Sequence, residues 1–360
     1  MIDGQTNKTY TGLRVSTTGG DCIDIVNSTN VTIANSNIGP CGTSSSTAAS
    51  NGVHITGGTG NNVFDSYIHV ERLASGCCDS HDGVLIDGAS TGDVIQGNVI
   101  AYNETNVRAQ NNSSALTVRG NYLVNPRGPF PRGQNVQLDT TSNITVKNNF
   151  AYSCTLSGTS GVRCPPGYLF DESQEDSINF YQSTTFVAVG NYIEGGHSPS
   201  GCGLITDDTA NDAQFANNVL YNTGQCGIGI SDGSNPQVTG NKVLNLNPVA
   251  GAGDTAIYVW KQYSSACGPT LLSGNIATEI QSDGTASGYW NGGGCDPVTC
   301  DGSNTSIDSC NLFDYGSGRT AYDKLIADPA IVTPPLIPPE PKNCVAKSPY
   351  STQISLPPCT

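Results

Sequence analysis

The sequence predicts an all-β solenoid, a parallel β-helix, and three observations predict it. A short phrase of Asn followed by an apolar residue returns at spacings of 23 to 42 residues. Alternating apolar and polar runs of strand length precede and follow each copy, with no helical period between them. Only 12% of residues are charged and 43 are glycine, which argues against a helical bundle and against a disordered polyampholyte. Self-similarity at this period in strands without helices means rungs stacked one on another.

The repeat phrase occurs at Asn62-Val63, Asn98-Val99, Asn121-Tyr122, Asn149-Phe150, Asn191-Tyr192, Asn218-Val219 and Asn275-Ile276, with looser copies at Asn37-Ile38 and Asn241-Lys242. Before the copies lie CIDI (22–25), GVHI (52–55), GVLI (83–86), NVQL (135–138), SINF (177–180), GIGI (227–230) and AIYV (256–259). A second strand appears in NVTIANSNI, ALTVRGNYL, NITVKNNF and FVAVGNYI. Asn suits the corners, because it tolerates left-handed backbone and its amide can bond the next Asn one rung along. About nine rungs at roughly 4.8 Å each make a rod some 40 Å long.

Fourteen cysteines, an even number, point to disulfides and an oxidising compartment, secreted, extracellular or periplasmic. Cys202 and Cys226 occupy equivalent places in neighbouring rungs, within disulfide reach. Cys154 and Cys164 are expected to close a loop insertion, and Cys344 to pair with Cys359. The helix is expected over 1–285, and the Pro- and Cys-rich stretch 286–360 as an irregular, disulfide-stapled cap over a solenoid end. The four histidines are scattered and no zinc-type Cys pair occurs, so no structural zinc site is expected. A net charge of −15 disfavours nucleic acid and anionic membranes as partners. No apolar run approaches the roughly 20 residues of a membrane span. The opening MIDGQTNKTY lacks a signal-peptide core, so Met1 is read as the start of a trimmed or mature form.

On the phrases SSALTVRGNYLVN and STNVTIANSNIG, residues 5–285 resemble the right-handed parallel β-helix proteins of the pectin-lyase-like superfamily. The resemblance implies that fold and a polysaccharide as partner, but leaves open lyase, polygalacturonase-type hydrolase, epimerase or tailspike. The order of Asp176 before SINF, the pair Asp207-Asp208, GQCG (224–227) and YVWK (258–261) is similar to that of the polygalacturonases. It departs from them in Gln225 and Cys226 where His is expected, in Lys261 lacking an Arg two residues before it, and in an Asp pair that follows its strand. DSHDG (79–83) is similar to the Asp-Pro-His of alginate epimerases, without the Pro.

Alternation along the strands sends one column of side chains outward: Asp24, His54, Leu85, Arg108, Gln137, Asn179, Ile205, Gly229, Tyr258. Two residues on, a second column includes Asp87, Asp139, Tyr181, Asp207 and Trp260. The acids Asp139, Glu175, Asp176, Asp207 and Asp208 are therefore expected along one groove. Glycosidic cleavage needs a proton donor and a base at such spacing, and crowding keeps one carboxyl protonated. Exposed aspartates can equally serve only to cap turns. Arg108 and Arg132, in a local cluster with Arg119 and Arg127, are candidates to bind an acidic substrate. Gln137, Asn179, Tyr181, Tyr258 and Trp260, with Trp290, are candidates for sugar contacts. Asp207, Asp208 and Asp212 could instead hold Ca²⁺; no other cofactor is expected. The expectation is a secreted enzyme cleaving an acidic polysaccharide, hydrolase or lyase; the alternative is a surface, fibre or adhesion protein that self-associates end to end.

Overall fold

The computed structural model describes residues 1–42, 50–69, 81–128, 133–153, 174–196, 198, 200–246, 255–281, 284–300 and 327. Its strands form three sheets, of eleven, eleven and ten strands, and each strand pairs with the equivalent strand of the next coil. Every ladder is parallel, as in Val136–Asp139 on Ile178–Tyr181 and Ile178–Tyr181 on Cys202–Asp207. The chain thus winds as a parallel β-helix. The described residues make eleven coils, against the nine expected. The difference arises at the two ends, where the short strands Ile2–Asp3 and Tyr289–Gly293 carry too little pattern to read. The first two sheets continue past residue 285, through Tyr289–Gly293 and Val298–Cys300.

Inside, Val, Ile, Leu and Phe from every coil merge into one core, most of them with no exposed surface. Its widest members lie side by side: the rings of Phe180 and Phe186 stack at 4.0 Å and 11°, and Phe215 tilts against both. Aromatic pairs at this separation add about 0.5–1.5 kcal/mol beyond the area they bury.

The Asn corner is a ladder. From Asn121 on, each Asn side-chain oxygen accepts from both the backbone N–H and the Nδ2 of its counterpart one coil earlier, in the run Asn98, Asn121, Asn149, Asn191, Asn218, Asn241, Asn275. The Nδ2 of Asn149 also donates to the carbonyl of Val118 at 3.0 Å, so the corner leaves few polar atoms unmet. Asn241 is a full member, although its sequence copy is loose. Asn37 and Asn62 are not members. Ser36 and Ser66 stand in the ladder at those coils, and Asn62 begins a strand of the second sheet, opposite Val94. Gly60-Asn-Asn-Val mimics the corner phrase because another corner, at Asn61 and Asp93, uses the same chemistry.

Cys202 and Cys226 are bonded, as their stacked positions require, and further bridges join Cys22 to Cys41 and Cys267 to Cys295. The expected pairs Cys154 with Cys164 and Cys344 with Cys359, Arg132, and the cap beyond residue 300 lie outside the described residues, Ala327 excepted. Among the described residues no helix is long and apolar enough to cross a membrane.

Candidate functional site

The first sheet presents the outward column in the expected register. His54 lies beside Leu85, Leu85 beside Arg108, Arg108 beside Gln137, Gln137 beside Asn179, Asn179 beside Ile205, and Gly229 beside Tyr258. Asp139, Tyr181 and Asp207 likewise stand in line at the strand ends. Column membership does not place all of them in one site.

A cleft of about 370 Å³ opens where the strands of Ile178–Tyr181, Cys202–Asp207, Cys226–Ile230 and Thr255–Trp260 present their outer faces. Glu175, Asp176 and Asp207 form its acidic wall, and Ile205 its floor. Tyr258, Trp260, Tyr263 and Trp290 supply its aromatic lining, with Ser200, Gln225 and Gln262 completing it.

Asn179 organises the acids. Its Nδ2 donates to Asp176 Oδ2 at 2.7 Å and to Asp207 Oδ2 at 3.3 Å. The other oxygen of Asp176 accepts the backbone N–H of Cys202 at 2.7 Å. Asp176 is 1% exposed with both oxygens engaged, so it braces the site from below. Glu175 stands above it, half-buried, and accepts from Gln134 Nε2 at 3.2 Å. Gly201 makes that packing possible, because a Cβ there would lie 1.7 Å from the Glu175 carbonyl oxygen.

The electrostatics separate the acids. Burial, and then the negative charge of adjacent Asp176, push the Glu175 carboxyl up to about 9, so it carries a proton at neutral pH. Burial also raises Asp176, to about 6, against the pull of its bonds from Cys202 and Asn179. Asp207 is raised by burial too, but hydrogen bonds from Tyr263 and Asn179 favour its charged form. The cleft therefore pairs a neutral acid with a carboxylate held by donors. Two titratable groups in contrasting environments is the arrangement that acid and base catalysis uses.

Tyr258 lies over Gly229, whose missing side chain leaves room: a Cβ there would meet the ring at 2.7 Å. Its hydroxyl bonds Ser231 Oγ at 2.7 Å and accepts from Gln262 Nε2 at 3.0 Å. Tyr258 is only 7% exposed and is a wall residue, whereas Trp260, Trp290 and Tyr263 are 40%, 45% and 37% exposed. Trp260 and Trp290 meet edge to face at 5.5 Å.

Of the expected site residues, Glu175, Asp176, Asp207, Tyr258 and Trp260 line the cleft, and Asn179 lies beneath it. Tyr181 and Asp208 sit on the adjoining corner, where Gln182 Nε2 donates to Asp208 Oδ2 at 2.7 Å and to Tyr181 Oη at 3.2 Å. Asp139 is two strands from Asp207 and its Oδ1 accepts from Thr140 at 2.8 Å. Gln137 is buried and Arg108 half-buried further along the column; neither lines the cleft. Tyr263 and Gln262 are cleft residues that the sequence pattern did not single out, since they lie beyond the alternating runs, whereas Gln225 stood out only as a departure from the polygalacturonase His.

Asp207, Asp208 and Asp212 do not gather as a cation site: among the described residues the one group with such proximity is Asp21, Asp24 and His54. There the Nδ1–H of His54 donates to Asp21 at 2.9 Å, and its Nε2 faces Asp87 at 3.3 Å and Thr56 at 2.9 Å. His54 is thus held between carboxylates on both sides, where the sequence left it as a solvent-facing ring.

Comparisons with known proteins bear on the fold. No curated protein gives a significant match. Among solved structures the chain is similar to the Dettilon tailspike protein, with a TM-score of 0.52 and 14% identity over 77% of this chain and 55% of that one. It is similar to a double mutant of the periplasmic alginate epimerase AlgG, with a TM-score of 0.53 and 14% identity over 84% of this chain and 67% of that one. A third similar structure is PfbA, a surface adhesin of Streptococcus pneumoniae, with a TM-score of 0.50 and 14% identity over 81% and 70%. The chain spans about half the length of the tailspike. Likeness at such identity is one of fold. A family model described as a right handed beta helix region matches residues 82–276, more than half of the chain, and to that family the chain belongs.

Proposed function

We propose that the chain is an exported glycoside hydrolase that cleaves a polysaccharide lying in the cleft. Glu175 is the general acid: its proton passes to the glycosidic oxygen as the bond from that oxygen to the anomeric carbon breaks. Asp207 is the base that takes a proton from the attacking water, which bonds the anomeric carbon. Asn179 and Asp176 are positioning residues, holding Asp207 and Glu175 respectively. The observation that carries this reading is the proton kept on Glu175 by burial beside two other acids. A carboxyl that stays neutral to about pH 9 is a poor structural ion but a ready proton donor. The fold supports it too, since an alginate epimerase shares the architecture. Disulfides among the described cysteines support export.

The test is a panel of polysaccharides followed for new reducing ends and for the ultraviolet absorbance of an unsaturated product. New ends without that absorbance are the expected result, and E175Q should abolish them. Both signals together would replace hydrolysis by elimination. Binding without any new ends would leave a glycan-binding protein without hydrolytic activity, a non-enzymatic reading in keeping with a surface adhesin of this fold.

A further inference from the structure

We propose that the cleft takes an uncharged glycan, gripped by stacking on Trp260 and Trp290, and that it rejects polyuronates. The inference rests on the cleft being the glycan site and adds the class of sugar chain it accepts.

The wall residues set the charge. Among the described residues that line the cleft there are three carboxyl groups and no Lys or Arg. Asp207 lies on the wall with one oxygen 3.3 Å from Asn179 Nδ2, and its charge is met there by neutral donors only. A uronate carboxylate placed against this wall would face like charge in a site that is partly shielded from water, with no cation among the described lining residues to bridge the two. Lys261 follows Trp260 in sequence, but its stem passes across Gly294 and it does not line the cleft. Arg108, expected to bind acidic groups, stands two strands beyond Asn179 in the column.

The aromatic wall supplies what an uncharged ring needs. Trp260 and Trp290 are large, apolar and among the most exposed hydrophobic residues of the described chain, and they meet edge to face at the rim. Gly292 fixes that placement, since a Cβ there would lie 2.4 Å from the Trp260 ring. Sugars offer flat C–H faces to such rings while their hydroxyls take up amides, here those of Gln225 and Gln262. Exposed indoles over an acidic wall without cations fit a neutral hexose or pentose polymer.

The experiment compares each of two uronic polymers, polygalacturonate and alginate, with its carboxyl-reduced neutral counterpart, alongside neutral glucans, mannans, xylans and fructans. Affinity electrophoresis with E175Q reads binding, and reducing ends with the wild-type protein read cleavage. Neutral members should bind and the uronic ones should not. W260A and W290A should each weaken neutral-chain binding roughly tenfold, with the coil intact by circular dichroism. Binding or cleavage confined to uronic polymers would overturn the inference while leaving hydrolysis at the cleft standing. Neutral-chain binding unchanged in both Trp variants would overturn the stacking role. Binding of neutral chains without cleavage would retain this inference and remove the hydrolytic reading; no binding of any polymer would remove both.

Discussion

Asn179 donates through one Nδ2 to Asp176 at 2.7 Å, and the same nitrogen reaches Asp207 at 3.3 Å. Carboxylates from neighbouring coils are thereby tied to one buried amide. N179A would leave an oxygen of Asp176 buried without a donor, which costs about 1–3 kcal/mol, more for a charged group. Denaturant unfolding should show that loss, and activity should fall with it because Asp207 loses its brace.

The proton on Glu175 has an opposite effect on stability. Its folded value of about 9 lies above the ordinary glutamate value of 4.5, so the folded state binds the extra proton and stability declines as pH rises from 4.5 to 9. E175Q, which is neutral at every pH, should therefore be more stable than the parent at pH 8 while losing activity. Thermal melts across that range would check both the sign and the slope; a variant that melts earlier than the parent at pH 8 would contradict the assignment.

His54 gives a second pH signature, at the other end of the rod. Burial disfavours its charged ring, but hydrogen bonds to Asp21 and Asp87 prevail and hold it at about 10. That exceeds the ordinary histidine value of 6.5, so its contribution is whole below pH 6.5 and lost as pH rises through 10. Asp21 shows the reverse sign: burial raises it, yet bonds from His54 and Asn51 bring it to about 2 from the ordinary aspartate value of 3.8. Its share is present above pH 3.8 and lost as pH falls through 2. H54Q should flatten the stability profile between pH 6.5 and 10 without touching hydrolysis.

Core and corner should respond differently. F180A would empty the centre of the ring stack with Phe186 and Phe215, at about 3–5 kcal/mol. N149A removes the acceptor of Asn121 and the donor to Val118, at about 1–3 kcal/mol for each orphaned group. Chemical denaturation of the two variants measures both.

Much of this architecture was legible because a strand has period two and a coil repeats it. Alternation in SINF and AIYV was enough to put Asn179 and Tyr258 on the outer face in the right lateral order. The corner Asn residues were legible for the same reason, except where Asn62 copied the phrase at a different corner. What alternation cannot convey is depth. Glu175 and Asp176 are adjacent and chemically alike, yet one faces the cleft and the other is sealed by Cys202 and Asn179. Nor does it reach the segments between strands, which is why Tyr263 and Gln262 escaped, or pairings between coils such as His54 with Asp21.

The division of labour among the acids is tested most directly by the hydrolysis rates of E175Q, D207N and D139N on one polymer that the protein cleaves. The account predicts losses of about 10²-fold or more for the first two. D139N, whose carboxyl lies two strands away against Thr140, should stay close to the parent. Full activity in E175Q, or a collapse confined to D139N, would contradict it.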